Sequence, residues 1–136
     1  MAAAVSPLLI DTDVLIDYLR GQAEAIAYLE GLTELLLVST ITVAELYAGV
    51  REGAEREALD TFLSAFEVVA VDEALARRGG LYRRDYGKSH GVGLADALIA
   101  ATAELWGATL VTLNQKHFPM LASVAVPYTK SGKHGT

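Results

Sequence analysis

No cysteine occurs in the 136 residues, which excludes a disulfide framework, a thiolate nucleophile and a cysteine-ligated zinc ion. A metal, if one binds, must sit on oxygen or on the three histidines, His90, His117 and His134, whose separation supplies no shared ligand set. The first residues, Met1 to Pro7, lack the basic start and long apolar core of a signal peptide, and no later apolar run is long enough to span a bilayer. The chain therefore reads as soluble and cytoplasmic, with no membrane partner. Repeats, low-complexity blocks and linkers are missing as well. So is an excess of positive charge: the net charge is −6 and the sequence pI about 4.9, whereas proteins that bind phosphate backbones usually present a basic face.

What is present is apolar. Hydrophobic residues make up 52% of the chain and the mean hydropathy is +0.32, rich for a small domain whose surface must stay wet. That excess points to an interface with a partner or a second copy, with Leu29, Leu32, Leu36, Tyr47 and Val50 as contributors. The length fits one domain, residues 1–128, followed by a polar tail, residues 129–136.

Strand-like apolar runs alternate with helical periodicity. Leu8 to Asp11 reads as a strand, then Val14 to Arg20 and Gln22 to Leu32 as helices broken at Gly21. Leu35 to Ser39 is a second strand, followed by helices over Ile41 to Arg51 and Arg56 to Phe66. Val68 to Val71 reads as a third strand and Glu73 to Tyr86 as a helix. A glycine-rich loop, Gly87 to Gly93, leads into a helix over Leu94 to Trp106. Thr109 to Thr112 is the fourth strand, and Val124 to Val126 a short fifth. Strands separated by helices require crossover connections. The expected class is α/β, a three-layer sandwich around a mostly parallel sheet of four to five strands.

Functional groups of such sheets collect where the strands end. Asp11 closes the first strand, Glu45 lies early in the helix after the second, Asp96 opens the helix after the glycine loop, and Asn114 follows the fourth. Each has a bland reading. Thr42 to Glu45 matches a capping box, Asp11, Thr12 or Asp13 can cap a helix, and Asp96 can complement a helix dipole. Helix starts do not, however, account for several acids at sheet-edge positions of the same sense. Carboxylates gathered in one crevice raise one another's pKa unless a cation joins them, and oxygen donors suit Mg²⁺ or Mn²⁺. Five of the eleven lysines and arginines fall between Arg77 and Lys88, a cluster that could guide a polyanion or be a solvated helix face.

Four segments, Leu9 to Gly21, Ile41 to Gly49, Leu94 to Ala103 and Leu110 to Phe118, together resemble the successive motifs of PIN-domain ribonucleases, most of all the VapC toxins of prokaryotic type II toxin–antitoxin modules. The resemblance implies a Mg²⁺- or Mn²⁺-dependent endoribonuclease acting on RNA, with tRNA among the candidate substrates. It implies Asp11, Glu45 and Asp96 as the catalytic, metal-binding acids, with Thr12 supporting the pocket. Asn114 stands where many members carry a fourth acid, which leaves one-ion and two-ion mechanisms open. It also implies a small VapB-like antitoxin that obstructs the active site, and a homodimer. Two rival readings remain: a phosphatase of the haloacid dehalogenase type using Asp11 as nucleophile and Asp13 as acid/base, and a non-catalytic module that only binds an antitoxin.

Overall fold

The computed structural model describes residues 6–129; the expected tail beyond Thr129, with His134, lies outside them. The elements run β1 (Leu8–Ile10), α1 (Thr12–Leu19), α2 (Ala23–Glu30), β2 (Leu36–Ser39), α3 (Thr40–Ala48), α4 (Ala54–Leu63), β3 (Glu67–Val69), α5 (Glu73–His90), α6 (Leu94–Leu105) and β4 (Thr109–Val111), with a 3₁₀ turn at Gln115–His117. The four strands form one sheet in the order β3-β2-β1-β4, and every pairing is parallel. All carboxyl ends therefore lie along one edge. The chain steps from β1 to β2 on one side and reaches β4 on the other, so β1 is where the winding reverses. Crevices open at such points, just beyond the strand ends.

Successive strand residues face opposite sides of the sheet, and the core divides accordingly. Leu9, Leu37, Val69 and Leu110 pack with Leu75 of α5 and with Ile99, Ala100, Ala101 and Ala103 of α6. Ile10, Val38 and Val111 pack with Val14 and Leu15 of α1, Leu29 of α2, Leu46 of α3, and Leu59 and Leu63 of α4. This is the expected three-layer α/β sandwich. Strands buried on both faces read as continuous apolar runs, which is why the strands were visible in so few residues.

The fifth strand reduces to a single parallel bridge between Val111 and Ala125. The Ala125 N–H donates to the Leu110 carbonyl at 2.8 Å, and the Thr112 N–H donates to the Ala125 carbonyl at 3.0 Å. A short strap thus satisfies the outer edge of β4, an edge that would otherwise offer unpaired backbone groups.

The expected loop at residues 87–93 is mostly helix. α5 runs through Gly87 to His90 and stops at Gly91, whose φ of 67° is left-handed and suits glycine. Tyr82, Tyr86 and His90 form an edge-to-face ladder, with ring centroids 6.3 and 5.6 Å apart. Aromatic contacts of about 0.5–1.5 kcal/mol each are enough to offset a mid-helix glycine, which costs about 1 kcal/mol against alanine.

Of the residues nominated for an interface, one is internal and the others are half-buried against the core. Leu29 is buried in the core, and Leu32, Leu36, Tyr47 and Val50 pack against the same cluster. The large apolar side chains left exposed include Leu35, Val68, Leu94 and Trp106. No described helix is long and apolar enough to cross a membrane.

α5 and α6 make a close pair because Gly79 faces Leu98. A Cβ at residue 79 would stand 2.5 Å from the Leu98 Cδ2 and 3.1 Å from its Cα, whereas one at residue 80 would meet nothing within 4 Å. We expect Gly79→Leu to overpack the contact and cost about 1–3 kcal/mol. Gly80→Ala should be neutral or stabilise by up to about 1 kcal/mol. Urea melts of the two variants check this, and equal stabilities would mean that the helix pair is not tightly packed there.

Candidate active site

The edge of the sheet brings Asp11, Thr12, Asp13, Ile16, Glu45, Asp96, Asn114 and His117 around one cleft of about 300 Å³. All five residues singled out from the sequence, Asp11, Thr12, Glu45, Asp96 and Asn114, are among them, although they span a hundred residues of chain.

Asp11 follows β1 directly and is the N-cap of α1. One carboxylate oxygen accepts the Thr12 N–H at 2.8 Å, and the other accepts the Thr112 hydroxyl at 2.8 Å. The cap and the cleft position are thus one arrangement. Asp11 is 6% exposed. Burial, followed by the neighbouring Asp13 charge, pushes its pKa up to about 7, against the opposing pull of the Thr112 and Thr12 hydrogen bonds. Asp96 also contributes to the rise.

Asp13 anchors the loop after β4. Its Oδ2 accepts the Leu113 N–H at 3.1 Å and the Asn114 Nδ2–H at 2.9 Å. The Asn114 N–H donates to the Thr112 Oγ1 at 3.0 Å, so Asn114 is held at both its backbone and its amide.

The capping-box reading of Thr42 and Glu45 does not hold. Ser39 caps α3, its hydroxyl accepting the Ile41 N–H at 3.0 Å. Thr42 is fully buried inside the helix, and its hydroxyl is hydrogen-bonded to that of Thr12 at 2.9 Å. The Thr12 Oγ1 lies 2.6 Å from the Glu45 Oε1. A carboxylate only accepts, so the Thr12 proton goes to Glu45 and draws α3 to the start of α1.

Asp96 lies in the first turn of α6, whose N-cap, Gly93, offers no side chain. Burial raises its pKa, the nearby His117 opposes the rise, and Glu45 adds to it. The His117 Nδ1 stands 3.3 Å from the Asp96 Oδ2. The sequence pattern set His117 aside with the other two histidines, whose separation supplies no shared ligand set. The signal was its position three residues after Asn114, in a tight turn at the functional edge of the sheet.

The basic cluster on α5 is not part of this cleft. Arg77 pairs with Glu73, Arg78 with Glu104 at 2.7 Å and Arg84 with Asp85 at 2.8 Å, so much of its charge is spent locally. No lysine or arginine lines the cleft.

The donor set is all-oxygen, apart from one imidazole, and its two inner acids are held above their ordinary pKa values. A cation is the group that such a charge arrangement lacks. Among the described residues, no group of three or more histidine or acidic side chains is gathered tightly enough to hold an ion outright. Carboxylate and amide oxygens are the donor type that Mg²⁺ takes, and it keeps several waters when bound by one or two carboxylates.

A pH dependence follows. With its folded pKa raised from 3.8 to about 7, Asp11 holds a proton in the folded state that the unfolded chain releases. Stability from this group therefore falls as pH rises from about 4 to about 7. In EDTA, Asp11→Asn should lose less stability than the parent between pH 5 and pH 8 and should melt at a higher temperature than the parent at pH 8. Parallel pH profiles in thermal melts would remove Asp11 as the titrating group.

The sequence matches the PIN domain over residues 8–123. It is 41% identical over 128 residues to Ribonuclease VapC10 of Mycobacterium tuberculosis, covering 92% of this chain and 96% of that protein. Ribonuclease VapC19 of the same species is 44% identical over 124 residues, 88% of this chain and 98% of its own length. Among solved structures, a toxin–antitoxin complex from Klebsiella pneumoniae contains a chain that superposes with a TM-score of 0.79 at 32% identity, covering 90% of this chain and 98% of that one. The four-stranded parallel sheet, the acids at its carboxyl edge and near-full-length similarity agree: this chain belongs to the PIN-domain family, and within it to the VapC ribonucleases.

Proposed function

We propose that the chain is a Mg²⁺- or Mn²⁺-dependent endoribonuclease that hydrolyses RNA phosphodiester bonds and serves as the toxin of a toxin–antitoxin pair. The observation that carries this reading is the convergence of Asp11, Glu45 and Asp96 on one cleft at the point where the sheet reverses its winding.

Asp11, Asp96 and Glu45 would hold the ion. Bound there, it supplies a lowered pKa for an attacking water and neutralises charge developing on the phosphate. The rest is done by the chain. Thr112 and the Thr12 N–H fix both oxygens of Asp11. The Thr12 hydroxyl fixes one oxygen of Glu45 and leaves the other to position water. His117 steadies Asp96, and Asn114, tied to Asp13, presents its amide beside the phosphate. No side-chain nucleophile is required.

The phosphatase alternative is weaker on this geometry. It needs Asp13 as a free acid/base and a lysine beside the phosphate, yet Asp13 is bound to the β4 loop and no lysine lines the cleft.

The antitoxin reading rests on the Klebsiella complex and on a groove of about 450 Å³ between α1, α3 and α4. It is lined by Ile16, Leu19, Leu46, Val50 and Leu59, and it shares Ile16 and Glu45 with the acid cleft. A peptide seated in this groove would reach the acids and obstruct them.

Purified chain, free of antitoxin, should cleave structured RNA such as tRNA in Mg²⁺ or Mn²⁺ and should stop in EDTA. Asp11→Asn and Asp96→Asn should each lower the rate about a hundredfold or more, the scale of several kcal/mol of lost metal assistance. Intact RNA with folded protein across both metals would favour the non-catalytic binding module.

A further inference from the structure

A second recess opens beside the acid cleft. It measures about 340 Å³ and is lined by Asp13, Leu113, Asn114, Val126, Tyr128 and Thr129. Asp13 and Asn114 also line the cleft, so the two spaces meet at the Asp13–Asn114 hydrogen bond of 2.9 Å. Their walls differ. The cleft is walled mostly by acids, whereas the recess has one acid, Asp13, with Leu113, Val126 and Tyr128 and the polar Asn114 and Thr129.

Tyr128 is fixed before any ligand arrives. Its hydroxyl donates to the Asp17 Oδ2 at 3.0 Å, and Asp17, on α1, is 5% exposed. Burial and the hydrogen bond to Asp17 raise the pKa of the phenol, so it stays protonated and keeps donating. Three residues earlier, Ala125 is bonded to β4 on both its N–H and its carbonyl. The strap and the ring are therefore already ordered, and a bound group need not meet that entropy cost.

Charge selects among occupants. Asp13 stands at the junction and no lysine or arginine lines the recess, which disfavours a second phosphate. A neutral, flat, partly polar group fits. Single-stranded RNA is read in this way, by bases that leave the stack, lie on aromatic side chains and hydrogen-bond at their edges.

We propose that this recess receives the nucleobase of a nucleotide flanking the phosphate in the acid cleft, with Tyr128 as its aromatic wall and Asn114 and Thr129 at the base edge. The inference rests on the ribonuclease reading and makes the recess a determinant of which RNA sequence is cut.

The test is an abasic scan. In a short single-stranded RNA that the protein cleaves, each base near the cut is replaced in turn by an abasic residue. One position should raise KM roughly 5- to 150-fold, the range expected from the loss of one base–aromatic stack, with kcat little changed. Tyr128→Ala should raise KM similarly on the intact RNA and erase the penalty of that one abasic position, whereas Tyr128→Phe should keep most of the preference. Equal KM at every abasic position, or a folded Tyr128→Ala protein with unchanged KM and unchanged position dependence, overturns the proposal. If Tyr128→Ala does not fold, the scan with the parent chain decides. If the parent cleaves no RNA, the ribonuclease reading fails separately, and the recess is judged by fluorescence anisotropy of a labelled mixed-sequence single-stranded RNA and its abasic versions. Equal affinities would then overturn it.

Discussion

The Asp11 carboxylate has to be buried at the end of the central strand and still face a cleft. The hydrophobic core demands that β1 be covered on both faces, and Leu9 and Ile10 are fully buried for that reason. The residue that follows inherits the low-polarity surroundings. An acid placed there loses hydration, and its charged form is disfavoured. Two donors offset part of that cost, the Thr12 N–H from α1 and the Thr112 hydroxyl from the end of β4. Asp11 therefore ties the first helix to a strand a hundred residues away. Those donors leave the cost only partly offset, and the Asp11 pKa stays raised by burial and by the neighbouring Asp13 and Asp96 charges.

The other hydroxyl and acid contacts extend the same arrangement outward. Thr12 carries it to α3 through Thr42 and Glu45. Asp13 carries it to the loop after β4. His117, on the 3₁₀ turn, carries it to Asp96 on α6. Buried or half-buried polar groups with satisfied partners specify one arrangement more sharply than apolar contacts alone. Thr12 and His117 each fix a neighbouring acid and Asp13 fixes the β4 loop, and together they hold three helices and two strand ends in register around one small space.

Much of this was legible in the linear sequence. Apolar runs of three or four residues ending in Asp11, Ser39 or Thr112 marked buried parallel strands, and the crossovers followed from the helices between them. Asp11 was legible for the same reason: a charged residue immediately after a buried strand has few other places to be. α5 was misread at Gly87 because a glycine is a weak breaker once rings at four-residue spacing grip across it. The packing of the apolar residues was not legible, because hydropathy records how apolar a side chain is, not what it packs against. Tyr47 and Val50 look like surface excess in the sequence; in the fold both are half-buried against the core, and Val50 also lines the groove between α1, α3 and α4.

The sequence by itself determined the class, the order of strands and helices along the chain, and the presence of acids at strand ends and helix starts. Those properties depend on local patterning and on the one-way rule that buried strands are apolar. Only the tertiary structure decided which polar atoms meet. Glu45 could reach back to its own helix or across to Thr12, and His117 could face solvent or Asp96; spacing along the chain permits either. The choice was made by packing α1, α3 and α6 against a shared sheet, which brings their ends within hydrogen-bond distance. Short-range contacts of this kind follow from where the core forces the backbone to run, and residue spacing in the chain does not encode them.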